Sequence, residues 1–254
     1  MNKKLIIGNW KMNMNESDSY TFFDEIKKNN NHFVHEFAII PPAPLIISIK
    51  KYLKKNNINN WVKIGIQNFY PKDKGAFTGE ISIKMFEDNT LDYLLVGHSE
   101  RRLFFNENNQ FAIEKALYAL KNSNAKIVFI FGETLEQRKK GNLENIIKEF
   151  LEKLISEITF EDLERFIFAY EPIWSIGTGK IPTIKEIEEI FLIIKEILKS
   201  KFKGKDVNIS KLIYGGSVNE VNYKLFLNSN LIDGLLIGGV ALESHKFISI
   251  LKNE

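Results

Sequence analysis

The chain contains no cysteine. Disulfides, thiolate nucleophiles and cysteine metal ligands are excluded, and the composition suits a reducing compartment, with the cytoplasm as the expected location. Long apolar runs are also missing. After residues 1–4 comes only Leu5-Ile6-Ile7, too short for the core of a signal peptide, and no stretch approaches the roughly 20 residues of a membrane span. No membrane partner is expected. Charge of one sign is not in excess: 35 basic against 32 acidic residues leave a net +3, spread along the chain. Nucleic-acid binding, which calls for a clustered basic stripe, is not expected either. Proline is scarce, at 6 residues, and no Pro/Ser-rich linker or low-complexity tract divides the chain. No metal-ligand spacing occurs, so no metal is expected.

What is present is a core. Hydrophobic residues make up 44% of 254, and charged residues 26%, the balance of a globular protein. Short apolar runs alternate with longer stretches of helical period. The strand-like runs are residues 5–8, 37–40, 62–66, 93–96, 126–131, 166–169, 211–214 and 234–237. They are mostly unbroken Ile/Val/Leu/Phe runs, as in strands covered on both faces. Helical stretches at 18–28, 44–55, 109–121, 143–158, 183–201, 218–227 and 242–251 lie between them, and the gap after Gly79 has room for a short helix only. Thr183 with Glu186 has capping-box spacing. Alternation of this kind predicts a parallel α/β sheet, and eight strands over residues 1–254 predict a single closed (β/α)8 barrel. An open doubly wound sheet would have fewer strands and a glycine-rich loop after the first, where this chain has Gly8-Asn9-Trp10-Lys11-Met12-Asn13.

In a parallel barrel the catalytic groups gather where the strands end. Asn9 and Lys11 follow the first strand, His98 and Glu100 the fourth, and Glu171 the sixth. Gly215-Gly216-Ser217 follow the seventh strand, and Gly238-Gly239 the eighth. Each has an ordinary alternative: a lysine is usually a solvated charge, a histidine after a strand a hydrogen-bonded cap, a glutamate a loop carboxylate, a glycine a turn. Three such groups at three strand ends make coincidence the poorer explanation. Glycines there also permit close backbone approach, and their free N–H groups can cradle an anion. Trp10 and Trp174 read as packing residues.

Residues 8–13, 75–80, 96–102, 169–180, 214–218 and the Gly238-Gly239 pair resemble the signature segments of the triosephosphate isomerases, in the family's order, over residues 6–242. The resemblance implies cofactor-independent interconversion of dihydroxyacetone phosphate and glyceraldehyde 3-phosphate through an enediolate. Glu171 would be the base, its basicity raised by exclusion of water. His98, at a helix N-terminus whose dipole keeps imidazole neutral, would polarise the substrate oxygens with Lys11 and Asn9, and Glu100 would orient Lys11. The N–H groups of Gly177, Ser217 and Gly239, beside Gly238, would hold the phosphate. A lid containing Pro172, Trp174, Thr178 and Gly179 would close over it, latched by Tyr214 and Ser217. Residues 67–80 resemble the loop that enters a second subunit, with Thr78 near the neighbour's Asn9 and Lys11, which implies a homodimer. Two positions depart from the family pattern: Ile130 stands where a cysteine is common, and Val240-Ala241 where Ala-Ser is. A different barrel enzyme sharing only the phosphate turns would not explain Lys11, His98 and Glu171 together. An inactive homologue would be free to lose the base or the lid.

Overall fold

A computed structural model describes residues 3–86, 91–175, 178 and 180–254. Among them eight strands pair in chain order, all parallel: β1 (Leu5–Asn9), β2 (Glu36–Ile40), β3 (Lys63–Ile66), β4 (Tyr93–Val96), β5 (Lys126–Phe131), β6 (Phe166–Tyr170), β7 (Lys211–Gly215) and β8 (Gly234–Ile237). β8 returns to pair with β1, Leu5 opposite Gly234, and the sheet closes into a barrel.

The unbroken apolar runs are explained by two separate cores. Leu5, Ile7, Ala38, Ile40, Tyr93, Leu95, Val128, Ile130, Ile167, Ala169, Ile213 and Leu236 pack together inside the barrel. Their neighbours in sequence, such as Ile6, Ile39, Leu94, Phe129 and Phe168, join the apolar faces of the helices in an outer core. Adjacent residues on a strand face opposite ways, so a strand buried on both sides has no polar position to alternate. Ile130, the first departure from the family pattern, belongs to the inner core, an apolar cluster that is aliphatic apart from Tyr93. Gly65 on β3 makes room there: a Cβ would fall 2.4 Å from the Tyr93 carbonyl oxygen and 2.9 Å from the Tyr93 Cβ.

The outer layer consists of α1 (Glu16–Asn29), α2 (Ile46–Lys55), α3 (Ser99–Phe104), α4 (Asn109–Asn122), α5 (Leu135–Lys139), α6 (Leu143–Glu157), α7 (Ile184–Lys201), α8 (Tyr223–Leu227) and α9 (Ser244–Lys252). The expected capping box opens α7, Thr183 accepting from the Glu186 amide at 3.3 Å and Glu186 from the Thr183 amide at 2.7 Å. Among its described residues the gap after Gly79 holds one 3-10 turn, Ile83–Met85. The expected helix at 218–227 is shorter than its period suggested. Asn219 Oδ1 accepts from the amides of Val221 and Asn222, and Asn222 Nδ2 donates to the Ser217 carbonyl. These local bonds hold the chain in turns until Tyr223. No helix of the described residues is long and apolar enough to cross a membrane.

At the end of the barrel opposite the strand C-termini, His35 is buried, and its Nδ1 accepts from the Lys4 amide at 3.3 Å. Burial, and then the nearby Lys4 charge, lower its pKa. Folded His35 therefore resists a proton that the unfolded chain accepts near pH 6.5. The stability it contributes is complete above that value and is lost as pH falls through the lower folded pKa. A His35→Asn variant, which keeps an acceptor for Lys4, is expected to show a shallower loss of stability below about pH 6.5. Urea denaturation as a function of pH measures this; parallel profiles for variant and wild type would contradict it.

Candidate active site

β1 ends in Asn9, buried, whose Oδ1 accepts from the Lys11 amide at 3.0 Å. Lys11 holds φ +53°, a left-handed conformation that a non-glycine residue adopts only when its surroundings impose it. They do so here: the Asn9 side chain holds its amide, and Gln67 Nε2 donates to its carbonyl at 2.8 Å and to that of Ile40 at 3.1 Å. The lysine Nζ then meets Glu100 Oε1 at 2.6 Å. Gly238 admits this path, since a Cβ there would lie 3.2 Å from Lys11 Cε.

β4 leads through Gly97 to His98, the N-cap of α3. Its Nδ1 accepts from the Glu100 amide at 3.2 Å. A ring that accepts at Nδ1 carries its proton on Nε2, and that nitrogen points at Glu171, 3.4 Å from Oε1. The second carboxylate oxygen, Oε2, accepts from the Ser99 amide at 3.1 Å. Glu171 itself is fixed by its backbone, whose amide donates to Phe131 at 2.8 Å. Gly132 makes that approach possible, because a Cβ on it would come within 2.0 Å of the Glu171 carbonyl oxygen.

Asn9, Lys11, His98, Glu171, Gly216, Ser217, Val218, Gly238 and Gly239 line one cavity of about 240 Å³. Carboxylate, imidazole and ammonium share this cavity with the glycine turns after β7 and β8. A 3-10 turn runs from Gly239 to Leu242. Val240-Ala241, the second departure, lies in this turn: the buried Trp10 donates its indole N–H to the Ala241 carbonyl at 2.9 Å, and the missing Cβ of Gly8 would be 2.9 Å from that of Ala241. Trp10 is a packing residue, as expected.

After β6 the chain runs through Pro172 into a 3-10 turn, Ile173–Ser175. Trp174 Nε1 donates to Glu133 Oε1 at 2.9 Å, and Thr178 Oγ1 donates to the Trp174 carbonyl at 2.9 Å. Ser217, on the cavity wall, donates to the Ser175 carbonyl at 3.0 Å and so joins this segment to the β7 turn. The Tyr214 hydroxyl is buried without a hydrogen-bond partner among the described residues, and burial raises its pKa. Gly177 and Gly179 lie outside the described residues. Thr78 is exposed on its loop, beside Phe77, whose ring packs on Tyr70 with centroids 4.4 Å apart.

Glu133 escapes a reading of the sequence, where it is one more carboxylate after a strand. It is fully buried, and Oε1 accepts from Tyr170 at 2.9 Å, Trp174 at 2.9 Å and Arg138 at 3.0 Å. Burial, then the Glu133 charge, raise the Tyr170 pKa well above its ordinary value, so the phenol remains a donor. Glu133 thus anchors the segment that begins at Pro172.

An all-parallel barrel with a carboxylate, an imidazole and an ammonium gathered where its strands end is the architecture of the (β/α)8-barrel enzymes. Within that class the sequence is specific. The family pattern of triosephosphate isomerase matches residues 4–254. The triosephosphate isomerase of Cytophaga hutchinsonii is 38% identical over 253 residues, covering 100% of both chains. That of Thermodesulfovibrio yellowstonii is 36% identical over 99% of this chain and 100% of its own. That of Clostridium tetani is 35% identical over 99% of this chain and 96% of its own. The chain belongs to the triosephosphate isomerase family.

The close contact at Gly132 makes a test of how the carboxylate is held. Gly132→Ala forces the Glu171–Pro172 peptide away from β5, and a displacement of about 1 Å at a reacting group costs on the order of 10²-fold in rate. A kcat reduced by that order, in a protein with wild-type circular dichroism, is the expected result. A fully active Gly132→Ala protein would mean that Glu171 is held otherwise.

Proposed function

We propose that the chain interconverts dihydroxyacetone phosphate and D-glyceraldehyde 3-phosphate, with Glu171 as the base. The observation that carries this is the facing of the Glu171 carboxylate and the His98 Nε2, 3.4 Å apart, on the wall of a cavity that also holds Lys11. Glu171 removes a proton from the carbon beside the substrate carbonyl. The electron pair moves to the oxygen, giving an enediolate, and Glu171 returns the proton one carbon along. The His98 Nε2–H gives its proton to the enediolate oxygen and the ring takes back the proton of the neighbouring hydroxyl, which becomes the new carbonyl, supported by the Lys11 charge and by Asn9. Glu100, bonded both to Lys11 and through its amide to His98, orients the two donors.

The phosphate sits across the cavity on the free N–H groups of Ser217, Gly238 and Gly239, with Gly177 from the lid. The lid, with Pro172 and Trp174 at its first hinge and Thr178 and Gly179 within it, closes over the substrate. Tyr214 and Ser217 act as the latch, which would give the buried Tyr214 hydroxyl a partner. Closure keeps water from the enediolate. No cofactor takes part, and the enzyme works in the cytoplasm.

The same activity is expected of a homodimer. Met12, beside Lys11, is 96% exposed, and Met85, Phe104 and Phe105 are 67, 73 and 63% exposed. Large apolar side chains in that number mark an interface. The loop of Thr78 would enter the neighbour and cover its Lys11 segment. Sedimentation of the purified protein is expected to give twice the chain mass of 29.5 kDa, and Met12→Glu to lower that value and the activity together. A fully active monomer would contradict the shared interface.

The base is tested by turnover of glyceraldehyde 3-phosphate. Glu171→Gln keeps the shape of the side chain without the basic oxygen, and kcat is expected to fall by roughly 10²- to 10⁴-fold. Turnover at the wild-type rate would remove Glu171 from the role.

A further inference from the structure

Arg102 has no place in the chemistry above, yet its side chain lies directly beneath it. It belongs to α3, four residues after His98, and folds back under the start of its own helix. Nε donates to the Gly97 carbonyl at 2.7 Å; Nη2 donates to the Ile130 carbonyl at 3.1 Å and to Asn109 Oδ1 at 3.4 Å. The guanidinium carbon stands 5.5 Å from the centre of the Phe150 ring. Gly97, at φ +77°, leaves the space: a Cβ there would fall 2.6 Å from Arg102 Nη2 and 2.8 Å from the Ile130 carbonyl oxygen.

The two carbonyls belong to chosen peptides. That of Gly97 is the peptide bond to His98. That of Ile130 is the peptide bond to Phe131, whose own carbonyl receives the Glu171 amide at 2.8 Å. One planar, forked cation therefore spans the end of β4, which carries the imidazole, and the end of β5, against which the carboxylate is pinned. Burying a cation is costly, and a lysine at this position would present all its donors from one nitrogen rather than from the two nitrogens of a planar fork, so it could not meet the two carbonyls where they stand. Burial pushes the guanidinium down to about 10, so it keeps its charge at neutral pH.

We infer that Arg102 is a positioning residue for the isomerisation, setting the separation of Glu171 from His98 by tying together the two strand ends that carry them. The inference rests on the proposed roles of Glu171 and His98.

The test uses full-length Arg102→Lys and Arg102→Met proteins, with three readouts: kcat, KM and the ¹⁵N signals of the His98 ring. Loss of the bridge is expected to lower kcat on the order of 10²-fold, with KM changed by no more than about twofold because the phosphate turns are untouched. His98 is expected to leave the single Nε2–H tautomer. The lysine variant, which keeps the charge, is expected to recover less than about a tenth of the wild-type kcat, because its single nitrogen does not reproduce the spacing of the guanidinium fork. A turnover per folded molecule equal to that of the wild type, in either variant, would overturn the inference and leave Arg102 a stabilising residue alone. Should neither variant fold, the wild type still decides. The Arg102 Nε–H signal is expected to shift in step with His98 as 2-phosphoglycolate is added; a stationary guanidinium beside a moving imidazole would overturn the coupling. Glu171→Gln separates the two failures. Full activity in that variant removes the proposed base, whereas its collapse beside unimpaired Arg102 variants removes only the positioning role.

Discussion

The hydrogen bond from the Glu171 amide to the Phe131 carbonyl, 2.8 Å, extends the β5–β6 pairing one residue beyond the strands. It requires a bare backbone at Gly132, and it determines where the carboxylate emerges from the barrel. The features on that side of the mouth follow from it. Glu171 reaches His98 and Ser99 across the barrel end, and the chain beyond Pro172 turns back onto Glu133 through Trp174. Ser217 then ties that turn to β7 through the Ser175 carbonyl. A barrel suits such an arrangement because its inner core of interlocked aliphatic side chains lets no strand slide against its neighbour.

Around this mouth the protein buries charge where apolar packing would serve stability better. Glu133 holds three donors on one oxygen. Glu107, also buried, receives Arg101 at 2.5 Å and the buried Lys115, which in turn reaches Asn68 at 2.6 Å, one residue beyond the Gln67 that holds Lys11. Arg102 spans two strand ends. Such groups add little net stability once desolvation is counted. Their return is geometric: each accepts only a narrow set of partner positions, and each adjoins a residue of the mouth. Lys11 in its left-handed conformation shows the result, a strained backbone kept in place by side chains on either side.

Much of the fold was legible in the sequence because each strand is buried on both faces, which leaves an unbroken apolar run whose ends fall within a residue or so of the structure. Tyr170 and Gly215 extend β6 and β7 by one residue, and Val62 falls just outside β3. The residues brought together at the cavity, Asn9, Lys11, His98 and Glu171, were legible for the same reason, since each directly follows a run. Contacts distant in sequence were not. Glu133 stands in none of the signature segments, and Arg102 closes the 96–102 segment with no sign of what it touches; what they share is a strand-end glycine nearby, Gly132 or Gly97, whose missing side chain leaves space for backbone or guanidinium. The short α5 did carry a signal, Thr134 with Gln137 in a capping box directly after β5, but five residues give no period to read. At 218–227 the apolar spacing misled, because Asn219 and Asn222 bind the backbone themselves.

The central claim is that one carboxylate, held on one side of the cavity, both takes the proton and gives it back. Conversion of glyceraldehyde 3-phosphate in D₂O, with the product analysed by NMR, tests it most directly. A single base on one face predicts deuterium at only one of the two hydrogen positions on the C1 carbon of dihydroxyacetone phosphate. Deuterium at both positions would contradict it by requiring protonation from both faces; hydrogen retained in part of the product is the abstracted proton returned by the same base before it exchanges, and agrees with it.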